Sequence, residues 1–207
     1  MKVVIIGAGG HGQVVADILF HMWRRGRDLE LLGFLDSDPE LTGKQFLGLK
    51  VLGTEERLDD IGHDAVVLAI GDNRQRMIAA ERLEDELLVS AIHPSAVLAP
   101  DVSVKPGAMI CAGAVVNPGS VIGPHAIINT GATVDHHNQI GAYSHIAPGV
   151  NLGGEVVVGT GALVGIGSSV VPRVRIGDWA VAGAGAVVTR DVPDGEIWAG
   201  VPARKLS

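Results

Sequence analysis

Residues 96–191 carry a hydrophobic pattern with a period of six residues that never breaks step. The third place of each hexad, from Leu98 to Val188, is Leu, Ile or Val in fifteen of sixteen cases, and Ala182 is the exception. This period matches neither the 3.6-residue turn of an α-helix nor the two-residue alternation of a strand. It fits a solenoid whose coils have three flat sides of six residues each, so the pattern predicts a β-helix of about five coils.

Two other places of the hexad support the solenoid. The place two residues before the aliphatic one, from Ala96 to Ala186, is almost always small or β-branched, as a narrow interior requires. The place after the aliphatic one is often Gly, Asn or Asp, as at Gly123 and Asp135. Because these residues tolerate left-handed backbone angles, we expect the corners of each coil there.

The first 91 residues show a different pattern, in which short apolar runs alternate with amphipathic stretches. The apolar runs, which predict strands, are residues 2–6, 29–35, 65–70 and 87–92. One predicted helix follows the first run with Val14 and Ile18 on its inner face, and a second covers residues 74–86 with Met77, Ile78 and Leu83 facing inward. Alternating strands and helices predict a Rossmann-like α/β domain with a parallel sheet.

A glycine-rich turn joins the first predicted strand to the first predicted helix. Gly7, Gly9 and Gly12 match the spacing of a dinucleotide-binding turn, and Asp36 ends the second predicted strand where a ribose-binding acid is expected. However, a segment that ends near residue 91 is too short for both nucleotide-binding halves of a dehydrogenase, and only the repeat follows. The turn therefore indicates a nucleotide-linked ligand near the helix N-terminus, without requiring NAD. His11, inside this turn, is either a polar residue at the helix start or a ligand contact.

Composition narrows the class of protein. Aromatic residues make up 3% of the chain and there are 29 glycines, so the core must be built from aliphatic and small side chains. The net charge of −7 and the scattered basic residues argue against nucleic acid as a partner. A single cysteine, Cys111, excludes an intramolecular disulfide and fits a reducing compartment. The sequence shows neither a signal-peptide pattern nor an apolar run long enough for a membrane span, so a soluble, cytoplasmic protein is expected.

The repeat resembles the left-handed parallel β-helix of the hexapeptide-repeat acyltransferases. Residues 192–204, VPDGEIWAGVPAR, look like the closing segment of these enzymes. The resemblance implies the left-handed coil, assembly as a homotrimer, and acyl-CoA bound in the groove between neighbouring prisms. Arg204 and Lys205 are then candidates for CoA phosphate contacts, although a solvated basic tail is the favoured explanation for either residue alone.

The two halves together resemble one sub-group of these enzymes, which contains the UDP-amino-sugar N-acetyltransferases of the PglD type and the sialic acid O-acetyltransferases of the NeuD type. The resemblance implies that residues 1–91 bind a sugar nucleotide and that residues 92–207 bind acetyl-CoA and carry out catalysis, with no metal required. The residues that match sugar-nucleotide contacts are Gly9, Gly10, His11, Asp36 and Gly71. The residues that match acetyl-CoA contacts are His145, Gly154, Ile166 and Ala184, the last three through backbone N–H groups on one edge of the prism.

The hexad that contains Asp135, His136 and His137 is the one polar cluster of the repeat, and it matches the catalytic segment of the family. On this match His136 is the general base, and an imidazole suits that role because its ordinary pKa of about 6.5 leaves it mostly neutral at pH 7. In PglD-type enzymes an acid follows the catalytic histidine, whereas His137 stands there in this chain. The group that orients His136 therefore stays open between Asp135, His137, a backbone carbonyl and water.

Three other functions remain open at this point. O-acetylation of a sugar or of sialic acid needs the same base and the same CoA groove; the glycine turn, Asp36 and Gly71 favour a UDP-4-amino sugar instead. A zinc enzyme resembling the γ-class carbonic anhydrases would need three ligands from His125, His136, His137 and His145. A non-catalytic sugar-nucleotide-binding scaffold would not need His136 at all.

Overall fold

The chain divides into two compact units, Met1–Pro94 and Ser95–Ser207. A computed structural model describes residues 1–83 and 86–206. The division falls slightly beyond the boundary expected after residue 91.

The first unit is a Rossmann-like domain built on one five-stranded sheet. Its elements are β1 (Lys2–Ile6), α1 (Gly10–Arg24), β2 (Glu30–Leu35), β3 (Gln45–Phe46), β4 (Leu49–Gly53), β5 (Ala65–Leu68), α2 (Asn73–Arg82) and β6 (Ala91–Ile92), with 3₁₀ helices at Pro39–Leu41 and Glu55–Asp60. The strand order is β3-β4-β2-β1-β5, and all pairs are parallel except β3 with β4.

Several predicted elements differ in extent from the observed ones. The sequence pattern did not indicate β3 and β4, which form one edge of the sheet. Helix α2 ends at Arg82 rather than at Glu86, and residues 84–85 of the predicted helix lie outside the described residues. The last predicted strand shortens to Ala91–Ile92, while Leu88 makes an isolated parallel bridge to Val66.

The core of this unit lies between the sheet and its helices. Apart from Lys2, the strands β1 and β5 are buried because both faces of a parallel sheet are covered. β5 is the edge strand of the sheet, and Leu88 makes an isolated parallel bridge to it. Helix α1 buries Ile18 and leaves Val14 exposed. Helix α2 buries Arg76, Ala79 and Ala80 instead of the predicted inner face, and Ile78 is 37% exposed because it lines a cavity.

The second unit is a left-handed parallel β-helix. Each hexad contributes one short strand at its second and third places, and each strand pairs in parallel with the strand three hexads further on, as Val115–Val116 pairs with Thr133–Val134. The strands are β7 (Val97–Leu98), β8 (Ser103–Val104), β9 (Met109–Ile110), β10 (Val115–Val116), β11 (Val121–Ile122), β12 (Ile127–Ile128), β13 (Thr133–Val134), β14 (Gln139–Ile140), β15 (His145–Ile146), β16 (Asn151–Leu152), β17 (Val157–Val158), β18 (Leu163–Val164), β19 (Ser169–Val170), β20 (Arg175–Ile176), β21 (Val181–Ala182) and β22 (Val187–Val188).

These strands stack into three flat sheets that enclose a narrow core. Two sheets have the orders β22-β19-β16-β13-β10-β7 and β20-β17-β14-β11-β8, and the third runs β24-β23-β21-β18-β15-β12-β9 within this unit. As predicted, the first and third places of the hexad point inward and are buried from Ala108 onward. The first coil is less covered, since Leu98 and Val104 are only partly buried.

The corners of the coil do not fall where the sequence indicated. The positive φ angles occur at the sixth place of the hexad, as at Gly131 with φ 65°, and not at the fourth place. Glycines at the fourth place are needed because the coils touch there. A Cβ at Gly123 would lie 2.7 Å from the carbonyl oxygen of Ile140, and one at Gly141 would lie 2.6 Å from the carbonyl carbon of Gly159.

The chain closes with an antiparallel pair, β23 (Ile197–Ala199) and β24 (Arg204–Lys205). Glu196 receives hydrogen bonds from the indole of Trp198, at 2.8 Å, and from the ammonium of Lys205, at 2.6 Å. Lys205, a candidate for a CoA phosphate contact, is thus engaged within the closing segment. Arg204 donates to the carbonyl of Ala203.

Candidate active site

The sixth places of the hexads form three longitudinal edges of the prism, and each edge has its own chemistry. We call them the glycine edge (Gly113, Gly131, Gly149, Gly167, Gly185), the aromatic edge (His125, Tyr143, Trp179) and the polar edge (Gly119, His137, Glu155, Arg173). The cluster Asp135-His136-His137 fills the corner between β13 and β14, so it belongs to the polar edge.

The His136 side chain is exposed but held on two sides. Its Nδ1 lies 3.1 Å from Nδ1 of His137, so one imidazole donates a hydrogen bond and the other accepts it. The ring also lies over Gly154, one coil further on, where a Cβ would come within 2.5 Å of its Cε1 and Nε2 atoms. An imidazole fixed in this way has one ring nitrogen in a hydrogen bond and the other free of that bond.

Asp135 supports the backbone of this corner and does not bind the imidazole. Its Oδ1 accepts from the backbone N–H of His136 at 2.8 Å and from the amide of Asn117 at 3.0 Å. These two hydrogen bonds, in that order, hold the pKa of the Asp135 carboxyl below its ordinary value. Of the groups that sequence reasoning left open to orient His136, His137 is the one in hydrogen-bond contact with the ring.

Asn138 ties the same corner to the interior of the prism. Its side chain is buried, and its Nδ2 donates to the carbonyl of Asp135 at 2.7 Å and to that of Gly153 at 3.0 Å. Ser120 adds a further bond to the Asp135 carbonyl at 2.9 Å. The backbone on which His136 stands is therefore fixed from inside by two buried polar side chains.

His145 lies in β15, on the side of the prism that follows β14. Its Nε2 is 3.0 Å from the Nδ2 of Asn129, whose Oδ1 accepts from the N–H of Thr130 at 2.7 Å. That second bond fixes the amide orientation, so Asn129 donates and the His145 Nε2 accepts. The proton of a neutral His145 then sits on Nδ1.

The three predicted backbone contacts do not share one edge. Ile166 and Ala184 lie one full coil apart beside the glycine edge, where the N–H of Gly185 donates to the Ile166 carbonyl at 2.8 Å. Gly154 lies beside the polar edge instead, one coil from His136. Within residues 1–83 and 86–206, the N–H groups of these three residues have no protein acceptor. Ile166 and Ala184 are exposed, whereas Gly154 is buried under the His136 ring.

All the residues predicted to bind the sugar nucleotide line a cavity of about 490 Å³ in the first unit. The glycines of the turn have different reasons for being there. Gly9 and Gly10 face open space, whereas a Cβ at Gly12 would collide with the carbonyl of Gly7, which itself has φ 104°. The first pair thus leaves room for a ligand, and the second pair allows the strand and helix to approach.

Polar groups of this cavity are arranged by the turn. Asp36 accepts from the N–H of Ala8 at 2.7 Å and from that of Asp38 at 2.9 Å, so it joins the ends of β1 and β2. His11 lies in the first turn of α1 and lines the cavity. Burial, and then the charge of Arg76, lower the pKa of His11 to about 4, so its imidazole is neutral at physiological pH.

Sequence reasoning missed three charged side chains of the cavity, Glu55, Asp72 and Arg82. Glu55 starts the second 3₁₀ helix, and burial is the main cause that raises the pKa of its carboxyl. No motif marks it, because it comes from the unpredicted segment after β4. Arg76 is also buried below the cavity and donates to the carbonyls of Ile70, at 2.8 Å, and Gly71, at 3.1 Å.

His125, interpreted from the sequence as a surface residue, is buried. Its ring covers Gly107 and stacks on Tyr143 with centroids 5.1 Å apart. Across residues 1–83 and 86–206, the one group of three or more side chains spaced to hold a metal is Asp17, His21 and His93, in the first unit. The four histidines from which the zinc-enzyme interpretation would draw its three ligands do not form such a group within the described residues of this chain.

Together, a Rossmann-like domain and a left-handed β-helix with a histidine corner define a hexapeptide-repeat acetyltransferase. The family model described as the PglD N-terminal domain matches residues 2–83. The chain belongs to the PglD family of sugar-nucleotide N-acetyltransferases.

Three solved structures place the chain within this family over its whole length. GDP-perosamine N-acetyltransferase from Caulobacter crescentus, crystallised with CoA and GDP-perosamine as a histidine-to-alanine variant, is 40% identical with a TM-score of 0.93, covering 100% of this chain and 97% of that one. The acetyltransferase domain of PglB from Neisseria gonorrhoeae, in complex with acetyl coenzyme A, is 36% identical with a TM-score of 0.92, covering 99% and 98%. WeeI from Acinetobacter baumannii is 27% identical with a TM-score of 0.87, covering 100% of both chains.

The helices of the described residues include none that is long and apolar enough to cross a membrane.

Proposed function

We propose that this chain transfers the acetyl group of acetyl-CoA to the amino group of a nucleotide-linked amino sugar, with His136 as general base. The observation that carries the proposal is the His136 imidazole, exposed at one corner and held by His137 and Gly154. A protein 40% identical over the full length is a GDP-perosamine N-acetyltransferase, which supports the same reaction type here.

The reaction follows from this arrangement. The sugar amine attacks the thioester carbonyl, so that a C–N bond forms and the C–S bond breaks. His136 takes the proton that the amine must lose, the thiolate of CoA leaves, and the His136 imidazolium gives that proton to the thiolate. General-base assistance of this kind contributes roughly 10²–10⁴-fold to a rate. His137 keeps the His136 ring in place, and Asp135 stabilises the turn beneath it.

We assign acetyl-CoA to the N–H groups that the prism leaves without protein acceptors. Ile166 and Ala184 line the glycine edge, and Gly154 lies beside the base. Amide groups of pantetheine pair naturally with such backbone donors. From the family resemblance we assign His145, whose Nε2 accepts from Asn129, to the neighbourhood of the thioester. As in the resembling family, we propose a cytoplasmic homotrimer with acetyl-CoA between neighbouring prisms.

We assign the nucleotide sugar to the cavity of the first unit. The open space over Gly9 and Gly10 and the N-terminus of α1 suit a diphosphate, while Gly71, Asp36 and His11 line the remaining wall. The resemblance favours a UDP-4-amino sugar. The relative crystallised with GDP-perosamine makes a GDP-linked amino sugar the second candidate.

The test is a thiol-release assay with acetyl-CoA against UDP- and GDP-linked 4-amino sugars and free sialic acid. We expect thiol release with a nucleotide amino sugar and its N-acetylated product by mass spectrometry. His136→Ala should lower kcat by about 10²–10⁴-fold, with the melting temperature unchanged because the side chain is exposed. Turnover on sialic acid alone would establish O-acetylation, and full activity of His136→Ala would exclude His136 as the base. Light scattering tests the trimer.

A further inference from the structure

Three potential metal ligands converge on one side of the first unit, and none of them lines the cavity assigned to the nucleotide sugar. Asp17 and His21 are one turn apart on α1, with the His21 Nε2 3.7 Å from the Asp17 Oδ1. The ring of His93 meets that of His21 with centroids 4.7 Å apart at 57°. One ligand atom from each of the three side chains lies within 4.8 Å of the others.

We propose that Asp17, His21 and His93 bind a divalent transition-metal ion, for which Zn²⁺ is the preferred candidate. Two imidazoles and one carboxylate form a ligand set that zinc accepts, with water completing the tetrahedron. Nitrogen donors favour Zn²⁺, Ni²⁺ and Cu²⁺ over Mg²⁺ and Ca²⁺, which bind through oxygen. This site is separate from the acetyl-transfer reaction, which needs no metal.

The geometry needs only small movements to close around an ion. Bonds of about 2.0–2.1 Å place the ligand atoms of a tetrahedral zinc site roughly 3.4 Å apart. The side chains of Asp17 and His21 are 58% and 43% exposed, so they can change rotamer freely, whereas His93 is buried and fixed. The fixed imidazole therefore sets the position of the ion, and the two helix residues close on it.

The three side chains of the cluster combine nitrogen donors with one carboxylate oxygen. The carboxylate of Asp17 supplies the negative charge that a divalent cation needs. Bound metal would connect α1 to the segment at the end of the unit and so stabilise the native state.

The test measures Zn²⁺ binding to the full-length protein by calorimetry, with Co²⁺ absorption as a probe of coordination geometry. The variants are His21→Asn and Asp17→Asn, both at exposed positions, so the fold should survive. The control is His137→Asn, because the rings of His136 and His137 also lie close enough to attract a metal. We expect one site, weakened more than about tenfold by either cluster variant and unaffected by the control.

Two further readouts separate this site from chance binding. Zn²⁺ should raise the melting temperature of the wild type and of His137→Asn but not of His21→Asn, and Mg²⁺ should not replace it. Acetyl transfer by His21→Asn should equal that of the wild type, with or without chelator. The proposal is wrong if Zn²⁺ does not bind, if binding survives both cluster variants, or if His137→Asn is the variant that abolishes it.

Discussion

The imidazole of His136 lies over Gly154, which occupies the same place one coil further on. The missing side chain at Gly154 makes room for the ring, because a Cβ there would stand 2.5 Å from its Nε2. A side chain projecting from one coil therefore needs a small residue on the coil beneath it. Trp179 and His137 likewise cover glycines, Gly161 and Gly119, but these lie one coil earlier in the chain.

The first prediction concerns Gly154→Ala. Gly154 is not in the left-handed region, so alanine suits the backbone dihedral angles, and the atoms nearest to its Cβ would be those of the His136 ring. Displacing a catalytic group by about 1 Å costs on the order of 10²-fold in rate, so we expect kcat to fall by about that factor. Kinetics with saturating acetyl-CoA, together with the melting temperature, check this.

A glycine in open space serves as the matched control. Gly62 has no heavy atom within 4 Å of a Cβ built on it and does not have a positive φ, so Gly62→Ala should leave both kcat and stability unchanged. Unchanged turnover of Gly154→Ala would show that the ring position seen here is not the productive one.

The second prediction concerns His137, whose Nδ1 contacts the Nδ1 of His136 at 3.1 Å. His137 has φ 57°, and asparagine is the substitution that tolerates this backbone while removing the imidazole. We expect His137→Asn to lower kcat about tenfold or more, since the base loses its orienting partner. Because His137 does not bind substrate in our proposal, KM for both substrates should stay within error of the wild-type value. If KM rose and kcat/KM fell by the same factor, His137 would be a binding residue instead.

Much of the β-helix could be predicted because its core depends only on side-chain size. The aliphatic third place and the small first place recur every six residues without a shift in register, and both are buried from Ala108 onward. Corner positions were predicted wrongly because glycine has two uses in this fold. Gly131 adopts φ 65°, whereas Gly123 permits close stacking of two coils, and the residue type alone does not distinguish them.

The candidate site was predictable where it follows from a local motif and not where it depends on packing between coils. His136 stands in the one polar hexad, and the turn glycines follow a strand. The prediction that Gly154 and Ile166 lie on one edge of the prism was wrong, because the two residues are only two hexads apart. Residues on the same edge are separated by a full coil of three hexads. Glu55 follows two short strands that carry no apolar run long enough to detect.

The third prediction uses the pH dependence of stability at Asp135. Hydrogen bonds from the His136 N–H and the Asn117 amide lower the pKa of this carboxyl in the folded protein. Its ionised form therefore stabilises the native state above the unfolded pKa of about 3.9, and this contribution is lost as the pH falls through the lower native value. Asp135→Asn should be less stable than the wild type at pH 6, and the difference should vanish in strong acid.

Denaturant unfolding curves at a series of pH values measure this difference. Asn117→Ala keeps the carboxylate but removes one of its two donors, which raises the native pKa of Asp135 towards its unfolded value. The loss of stability on acidification should therefore be smaller than in the wild type and be complete at a higher pH. The assigned hydrogen bonds would be contradicted if the difference in unfolding free energy between the wild type and Asp135→Asn stayed constant down to pH 2.

The fourth prediction concerns Asn138, whose buried amide donates to the carbonyls of Asp135 and Gly153. Asn138→Ala leaves these two acceptors without their donor, which costs about 1–3 kcal/mol of unfolding free energy. The corner that carries His136 also loosens, so kcat should fall while the KM for acetyl-CoA changes little. Val174→Ala provides the control, because Val174 is a buried residue in the same inward place two coils further on. It should cost about 2 kcal/mol with kcat unchanged. If both variants lose stability and neither loses turnover, Asn138 supports the fold only.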